Sequence, residues 1–153
     1  MSFMHKVFNA KQHKIYLPEY PEKYAGKQPI IARSNWEYKF CRWLDLNPNI
    51  LRWASEPIKI NYYDPVTKKK RGYYPDFLFV ARNKEDLISK HLIEIKPHKQ
   101  AVKPRNSKKK LRSQLIEEQM LYMRNQAKWI AANAWCQQHD ISFNILTEQE
   151  LFK

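Results

Sequence analysis

The sequence predicts an α/β domain with a central mixed β-sheet flanked by helices, and three observations favour this class. Short apolar runs with strand periodicity alternate with longer runs of helical periodicity. The chain has 153 residues, 43% of them hydrophobic, which suffices for one domain with its own core. The two cysteines and five histidines make no metal-finger spacing. The predicted order is helix, three strands, helix, strand and a short last helix.

Residues 1–32 are predicted to form an extended N-terminal arm, and residues 33–153 to form one domain. The arm contains three tyrosines and three prolines interleaved with lysines, and it shows no sustained period. We therefore expect an extended segment that is packed through its tyrosines.

The domain begins with a helix that is predicted to run from Ser34 to about Asn47. Residues 34–37 have the Ser-x-x-Glu form of a capping box, and Pro48 stops the helix. One arc of the helix is apolar and is expected to face the core: Trp36, Phe40, Trp43 and Leu44. The opposite side is expected to face solvent: Lys39, Arg42 and Asp45.

Three strands are predicted next, over residues 57–63, 73–80 and 90–96. Residues 64–72 are expected to form the turn of a hairpin between the first two strands, and residues 49–55 to be a connection.

A long helix is predicted over residues 111–139, followed by a strand over residues 141–146. The core-facing side of the helix is expected to consist of apolar residues at helical spacing, with Trp129 and Trp135 broadening the buried surface: Met120, Met123, Ala127, Ile130, Ala131 and Ala134. A second capping box, at residues 147–150, predicts the short last helix.

The formal charge is +13, from 28 Lys and Arg against 15 Asp and Glu. This excess favours a polyanionic partner, most often nucleic acid. Eight basic residues and no acidic one lie between Lys96 and Arg112. The loop 97–112 could therefore hold a phosphate backbone, or it could be a solvated charged loop.

Three charged residues stand within apolar runs that are predicted to be buried strands. Asp76 lies in Tyr-Tyr-Pro-Asp-Phe-Leu-Phe-Val, and Glu94 and Lys96 lie in His-Leu-Ile-Glu-Ile-Lys, where alternation places both on one face. Two carboxylates at the ends of neighbouring strands suit a hard cation such as Mg²⁺, for which Mn²⁺ could substitute. The structural alternative is that Asp76 is satisfied by backbone donors and Glu94 pairs with Lys96.

Glu37 has two interpretations. As the third residue of the first helix, it can accept a hydrogen bond from the Ser34 amide and act as a cap. Its place in the apolar arc instead directs it toward the sheet, where it could join the carboxylates. Glu56, just before the first predicted strand, is a rival for this role.

Cys41 and Cys136 each lie among apolar residues of predicted helices, so both are expected to be buried free thiols in a reducing compartment. No run of 18 apolar residues occurs, and the N-terminus lacks the apolar core of a signal peptide. Neither membrane insertion nor export is expected, which favours the cytoplasm.

Pro75-Asp76, then seventeen residues, then Glu94-Ile95-Lys96 resembles the Pro-Asp…(Asp/Glu)-x-Lys signature of the restriction-endonuclease-like superfamily. The predicted element order, with the charged residues on the second and third strands, resembles the core of that fold. The resemblance implies a restriction-endonuclease-like α/β core.

A closer resemblance, to the head completion nucleases of tailed phages, covers nearly the whole chain; these resemble in turn the TnsA endonuclease subunit of a cut-and-paste transposition system. Seven short motifs carry it: Lys23-Tyr24-x-Gly26, Arg33-Ser34-x-Trp36-Glu37, Trp53-Ala-Ser-Glu56, Tyr74-Pro-Asp-Phe77, Leu92-Ile-Glu-Ile-Lys-Pro97, Asn125-x-x-Lys128-Trp129 and Leu146-Thr147-Glu148. The resemblance implies a metal-dependent DNA endonuclease of phage head completion, acting in the host cytoplasm or at the virion head, with head or portal proteins as partners.

By that pattern, Glu37, Asp76 and Glu94 would be the acidic ligands of Mg²⁺, the Ile95 carbonyl would complete the shell, and Lys96 would be the catalytic lysine. Basic residues would hold double-stranded DNA by its backbone, with weak sequence specificity: Arg33, Lys99, Lys103, Arg105, Lys108, Lys109, Lys110, Arg112 and Lys128. One alternative is a non-catalytic DNA-binding protein that seals packaged DNA at the head. Another, an RNA-binding protein, predicts exposed aromatic residues on a sheet face.

Overall fold

The computed structural model describes residues 13–151, which form a mixed α/β fold around a four-stranded sheet. In chain order the elements are β1 (Lys14–Tyr16), a 3₁₀ turn (Pro21–Lys23), β2 (Ile30–Ala32), α1 (Asn35–Leu46), β3 (Ile50–Ser55), β4 (Ile60–Asp64), β5 (Lys69–Tyr73), β6 (Phe77–Arg82), β7 (Ile88–Ile95), α2 (His98–Ala101), α3 (Arg112–Gln138), β8 (Ser142–Leu146) and α4 (Glu148–Leu151). Residues 1–12 of the predicted arm lie outside the described residues, and its boundary at residue 32 stays a prediction.

The central sheet has the strand order β3-β6-β7-β8. The pairs β3/β6 and β6/β7 are antiparallel, whereas β7/β8 is parallel. Because parallel neighbours need a long crossover, the chain passes through α3 between these two strands. The predicted central mixed sheet flanked by helices is confirmed.

The prediction was wrong about which segments form the first strands. Residues 50–55, predicted to be a connection, form β3, whereas β4 pairs with β5 in a separate two-stranded sheet. The hairpin partner of β4 is therefore β5 rather than the predicted strand 73–80. The pairing of β3 shifts register between Ile50 and Arg52, and this irregularity hides the period-2 pattern of the strand in the sequence.

Hydrophobic side chains pack on both faces of the sheet. One face is covered by α1 and by residues of the N-terminal segment, and its core includes Tyr16, Ile30, Phe40, Leu44, Trp53, Phe77, Ile93 and Ile95. The other face is covered by α3 and the β4–β5 hairpin, and its core includes Ile60, Tyr62, Tyr73, Leu92, Trp129, Ala132 and Cys136.

Helix α1 has the predicted bounds, with Ser34 as its N-cap, but two of its residues differ from the prediction. Asp45, expected to face solvent, is fully buried and accepts hydrogen bonds from the Tyr16 hydroxyl and from the Glu19 and Tyr20 amides. The cause is the N-terminal segment, which lies over this side of the helix. Trp43, expected in the core, is 47% exposed.

Helix α3 also has nearly the predicted bounds, but its predicted core face is only partly right: Ala127, Ala131, Trp129 and Trp135 pack in or against the core. Its buried residues are Asn125, Trp129, Ala132 and Cys136, whereas three of the predicted core residues are exposed: Met120, Met123 and Ile130. Apolar residues occur on two sides of this helix, so the period alone does not select the side that faces the sheet.

Cys41 and Cys136 are free and buried, as predicted. Within residues 13–151, none of the helices has the length and apolar character needed to cross a membrane.

Candidate active site

Asp76 and Glu94 come together at one end of the central sheet. Phe77 at the start of β6 pairs with Ile93 of β7 in an antiparallel register. The next position along each strand is therefore Asp76 on one and Glu94 on the other. The Ile95 amide donates a hydrogen bond to the Asp76 carboxylate, with 2.7 Å between N and Oδ2. Pro75, which is fully buried, fixes the backbone just before Asp76. The sheet register therefore places the two predicted carboxylates side by side.

Glu94 points toward α3, on the face opposite Ile93 and Ile95, as the strand alternation predicts. It is only 4% exposed, and the Trp129 indole donates a hydrogen bond to it, with 3.5 Å between Nε1 and Oε2. The Tyr73 hydroxyl is also buried and has no hydrogen-bond partner among residues 13–151. Burial, followed by the charge of Glu94, raises the Tyr73 pKa.

The two carboxyl groups are difficult to ionise together. Burial raises the pKa of Asp76 well above its usual range, and the neighbouring Glu94 raises it further. Burial also raises the pKa of Glu94, while Lys96 acts in the opposite direction on both groups. A cation bound between them would relieve this repulsion.

Two lysines contribute positive charge to this end of the sheet. The main chain holds Lys96 in place, because its amide donates to the Leu146 carbonyl at 3.0 Å between N and O. Lys128 projects from α3, with its ammonium 5.6 Å from the centre of the Tyr73 ring. Burial lowers the pKa of Lys128, and the charge of Lys96 lowers it further. Lys128, predicted as a DNA contact, thus lies within electrostatic range of Glu94.

Glu37 combines features of both its interpretations. Its amide donates a hydrogen bond to the N-cap oxygen, Ser34 Oγ, at 3.1 Å, and its carboxylate accepts a hydrogen bond from the Arg33 amide at 2.7 Å. The backbone partner is therefore Arg33 rather than the predicted Ser34. Burial, followed by the charge of Asp76, raises the pKa of Glu37 to about 7. Glu37 thus caps α1 while lying within electrostatic range of Asp76.

Glu56, the rival carboxylate, forms an ion pair with Arg33. The guanidinium contacts both carboxylate oxygens, at 2.6 Å from Nε to Oε1 and at 3.2 Å from the second nitrogen to Oε2. The Glu56 amide donates to the Asp76 carbonyl at 2.8 Å, and its φ of 46° lies in the left-handed region that non-glycine residues seldom adopt. This pairing places Arg33, a predicted DNA contact, beside the same end of the sheet.

The predicted basic loop follows directly after Lys96. It begins with the short helix α2 and continues to α3, and it lines a cleft of about 880 Å³ together with Leu121 and Tyr122. Lys110 is tied down, because its ammonium contacts Glu118 at 2.6 Å and the Arg105 carbonyl at 2.6 Å. The remaining predicted DNA contacts of the loop are exposed: Lys99, Lys103, Arg105, Lys108, Lys109 and Arg112.

The chemistry of the site fits a hard divalent cation. Across residues 13–151, no three His, Cys, Asp or Glu side chains form a ready-made metal cluster. Mg²⁺ is commonly held by one or two carboxylates and keeps several waters, so the Asp76–Glu94 pair is a sufficient acidic donor set. The predicted main-chain ligand, Ile95, is the residue whose amide binds Asp76.

Three buried residues were not predicted to take part in the site. Trp129 and Tyr73 surround Glu94, and Asn125 lies one helical turn before Trp129 on the buried side of α3. Asn125 is 1% exposed, and neither polar atom of its side chain has a partner within the described residues. A polar residue on the buried face of a core helix is the signal that could have identified it.

Comparison with known proteins assigns the chain to a class. The family described as "TnsA-like endonuclease N terminal" matches residues 47–148, and this chain belongs to that family. A relative, the head completion nuclease of Enterobacteria phage T4, is 36% identical over 140 residues, which cover 89% of this chain and 91% of the relative. No solved structure matches the chain. The resemblance to TnsA-like and head completion nucleases is thereby confirmed.

Proposed function

We propose that this protein is a DNA endonuclease that hydrolyses phosphodiester bonds with Asp76, Glu94 and Lys96 as its catalytic set. One observation carries the proposal: two carboxyl groups with raised pKa values lie side by side at a sheet end that also holds a lysine. Such perturbed, mutually coupled groups are typical of active sites. Membership of the TnsA-like family and the name of the phage T4 relative support the same activity.

Asp76 and Glu94 would hold Mg²⁺, or Mn²⁺ in its place, together with the Ile95 carbonyl. When bound, the ion would polarise the scissile phosphate and lower the pKa of a coordinated water. Glu37 is the third acidic candidate, because its charge is coupled to that of Asp76.

The protein's own groups supply position and charge. Lys96 would orient the attacking water and offset the negative charge that develops on the phosphate. Lys128 adds a second positive charge on the α3 side, and the Trp129 indole holds the Glu94 carboxylate in orientation. Burial of Glu94 keeps water from screening these interactions.

The substrate we propose is double-stranded DNA. The exposed cations of loop 97–112 and Arg33 would contact the phosphate backbone, which positions the duplex but carries little sequence information. By analogy with the phage T4 relative, the protein would act in phage head completion, in the host cytoplasm or at the virion head, with head or portal proteins as partners.

A plasmid nicking assay tests this function. Wild-type protein should convert supercoiled plasmid to nicked circles with Mg²⁺ or Mn²⁺, and EDTA should stop the reaction. Asp76→Asn and Glu94→Gln should each lower the rate by at least about a hundredfold, because each removes one charge from the site. Asp86→Asn is the matched control, since the Asp86 side chain is 88% exposed in a turn, and it should cleave like wild type.

If folded wild-type protein binds plasmid but leaves it intact with either metal, the protein is instead the non-catalytic DNA-binding alternative. Equal cleavage by Asp76→Asn and Asp86→Asn would place the active site elsewhere.

A further inference from the structure

Helix α3 carries an apolar stripe on the side that faces away from the sheet. The stripe recurs at intervals of 4-3-4-3-4 residues: Ile116, Met120, Met123, Ala127, Ile130 and Ala134. Its four large members are between 41% and 70% exposed. On the helix they lie opposite the buried residues Trp129 and Ala132. A contiguous apolar surface of this kind marks an interaction site in a soluble protein.

The spacing of the stripe averages 3.5 residues, which is the period of a helix that packs along another helix in a coiled coil. From Ile116 to Ala134 the stripe covers about 27 Å of helix. The partner it fits is therefore another helix of similar length.

The charge of this face favours a second copy over a polyanion. The chain as a whole has a charge of +13, yet α3 (Arg112–Gln138) contains two Glu, two Arg and one Lys and has a net charge of only +1. Amide side chains flank the stripe on one edge: Gln119, Gln126 and Asn133. Two copies can therefore approach through this face without the repulsion that the basic loops would cause. DNA would find no row of cations there.

We propose that two copies of this chain pair through the stripe, with their α3 helices antiparallel about a twofold axis near residue 125. In this register Ile116 packs on the partner's Ala134, Met120 on the partner's Ile130, and Met123 on the partner's Ala127. Every layer then combines a large residue with a smaller or similar one. A parallel pair would instead stack alanine on alanine at two layers and leave voids.

The proposed pairing leaves the candidate active site uncovered. Trp129, which bonds to Glu94, lies on the buried side of α3, and the stripe lies on the opposite side. Ala127 is half-buried and packs partly against the core of its own chain, so it offers only part of a small side chain to the partner. The dimer consequently does not depend on the nuclease function and can be tested without it.

Analytical ultracentrifugation of the full chain tests the proposal. Wild type should sediment with twice the 18.6 kDa mass of one chain and dissociate on dilution. Met123→Glu and Ile130→Glu should each weaken the dimer by about a hundredfold or more, because each buries a charge in the seam. Leu87→Glu is the matched control, since Leu87 is 59% exposed in the turn before β7, and it should dimerise like wild type. Circular dichroism checks that each variant is folded.

Cross-linking tests the register independently. Gln126→Cys lies near the proposed axis, so a short bismaleimide should join two copies through it, while the native cysteines are buried. Gln137→Cys should not cross-link to itself, because the two copies of residue 137 would be about 36 Å apart in an antiparallel pair.

Three results would overturn the proposal. The first is a wild type that stays monomeric at high concentration. If that protein dimerises once residues 2–12 are removed, the stripe binds that segment and not a second copy, so the proposal is equally overturned. The second is a dimer that Met123→Glu and Ile130→Glu leave intact. The third is cross-linking of Gln137→Cys with itself, which indicates a parallel pair.

Discussion

Asp76 and Glu94 are two carboxyl groups whose pKa values are raised by burial at the end of the central sheet. Lys96 favours the ionised form of both, yet both pKa values remain above the usual range. Within the protein alone, this arrangement costs stability at neutral pH, because the folded state holds protons that the unfolded chain would release. Carboxyl groups that are held in place at such a cost in stability are typical of functional sites.

Asp76→Asn should therefore stabilise the metal-free protein at neutral pH. The folded pKa of Asp76 is above its unfolded value near 3.8, so its stabilising contribution is complete below that pH and is lost as the pH rises. The variant avoids this loss and should gain about 1 kcal/mol, which is roughly 2–4 °C in Tm for a domain of this size. Calorimetry in EDTA at about pH 8 and about pH 4 measures the difference, which should vanish at the lower pH.

Asp86→Asn is again the control and should leave Tm unchanged at both pH values, since Asp86 is exposed. An Asp76→Asn protein that melts below wild type at the higher pH would contradict the account, because the Ile95 hydrogen bond to Asp76 would then outweigh the repulsion.

At the scale of elements, local signals in the sequence predicted the bounds of α1 and α3 but only part of the sides they bury. Ser34 and Pro48 mark the ends of α1, and the structure has the helix between them. The burial of Asp45 depends on residues 16–20, which contact the helix from a distant part of the sequence. The same limit applies to α3, whose two apolar sides differ only in what packs on them.

The sequence likewise predicted some residues of the candidate site and not others. Asp76 and Glu94 were predicted to be close because neighbouring strands bring them together, and their register agrees. Lys128, Trp129 and Tyr73 reach the site through the α3 crossover and the β4–β5 hairpin, whose packing no local pattern reveals. The roles of Glu37, Asp76, Glu94, Ile95 and Lys96 in catalysis stay predictions.

Asp45→Ala should destabilise the protein strongly. The substitution leaves the buried Tyr16 hydroxyl and two backbone amides without their acceptor, which should cost about 3 kcal/mol, or roughly 6–12 °C in Tm. Thermal unfolding followed by circular dichroism measures the change. Glu85→Ala, at an exposed position in the turn before β7, is the control and should be neutral. Equal melting of the two variants would show that the N-terminal segment does not depend on Asp45.

At the scale of the whole molecule, the positive charge is concentrated where the proposed substrate must lie. Loop 97–112 leaves the sheet directly after Lys96, at the same end as the carboxylate pair, and most of its cations are exposed. A duplex held by this loop would pass the site without base contacts. Binding and cleavage should accordingly depend on different residues, and this separation distinguishes a nuclease from a protein that only binds DNA.

Single-turnover cleavage of a defined duplex, with binding measured in the same samples, tests this central claim most directly. Lys96→Ala should bind DNA within about threefold of wild type but cleave at least about a hundredfold more slowly, because Lys96 would act on the transition state. Lys90→Ala, on the exposed part of the same strand, should bind and cleave like wild type. Cleavage by Lys96→Ala at the wild-type rate, or no cleavage by wild type in Mg²⁺, would contradict the account.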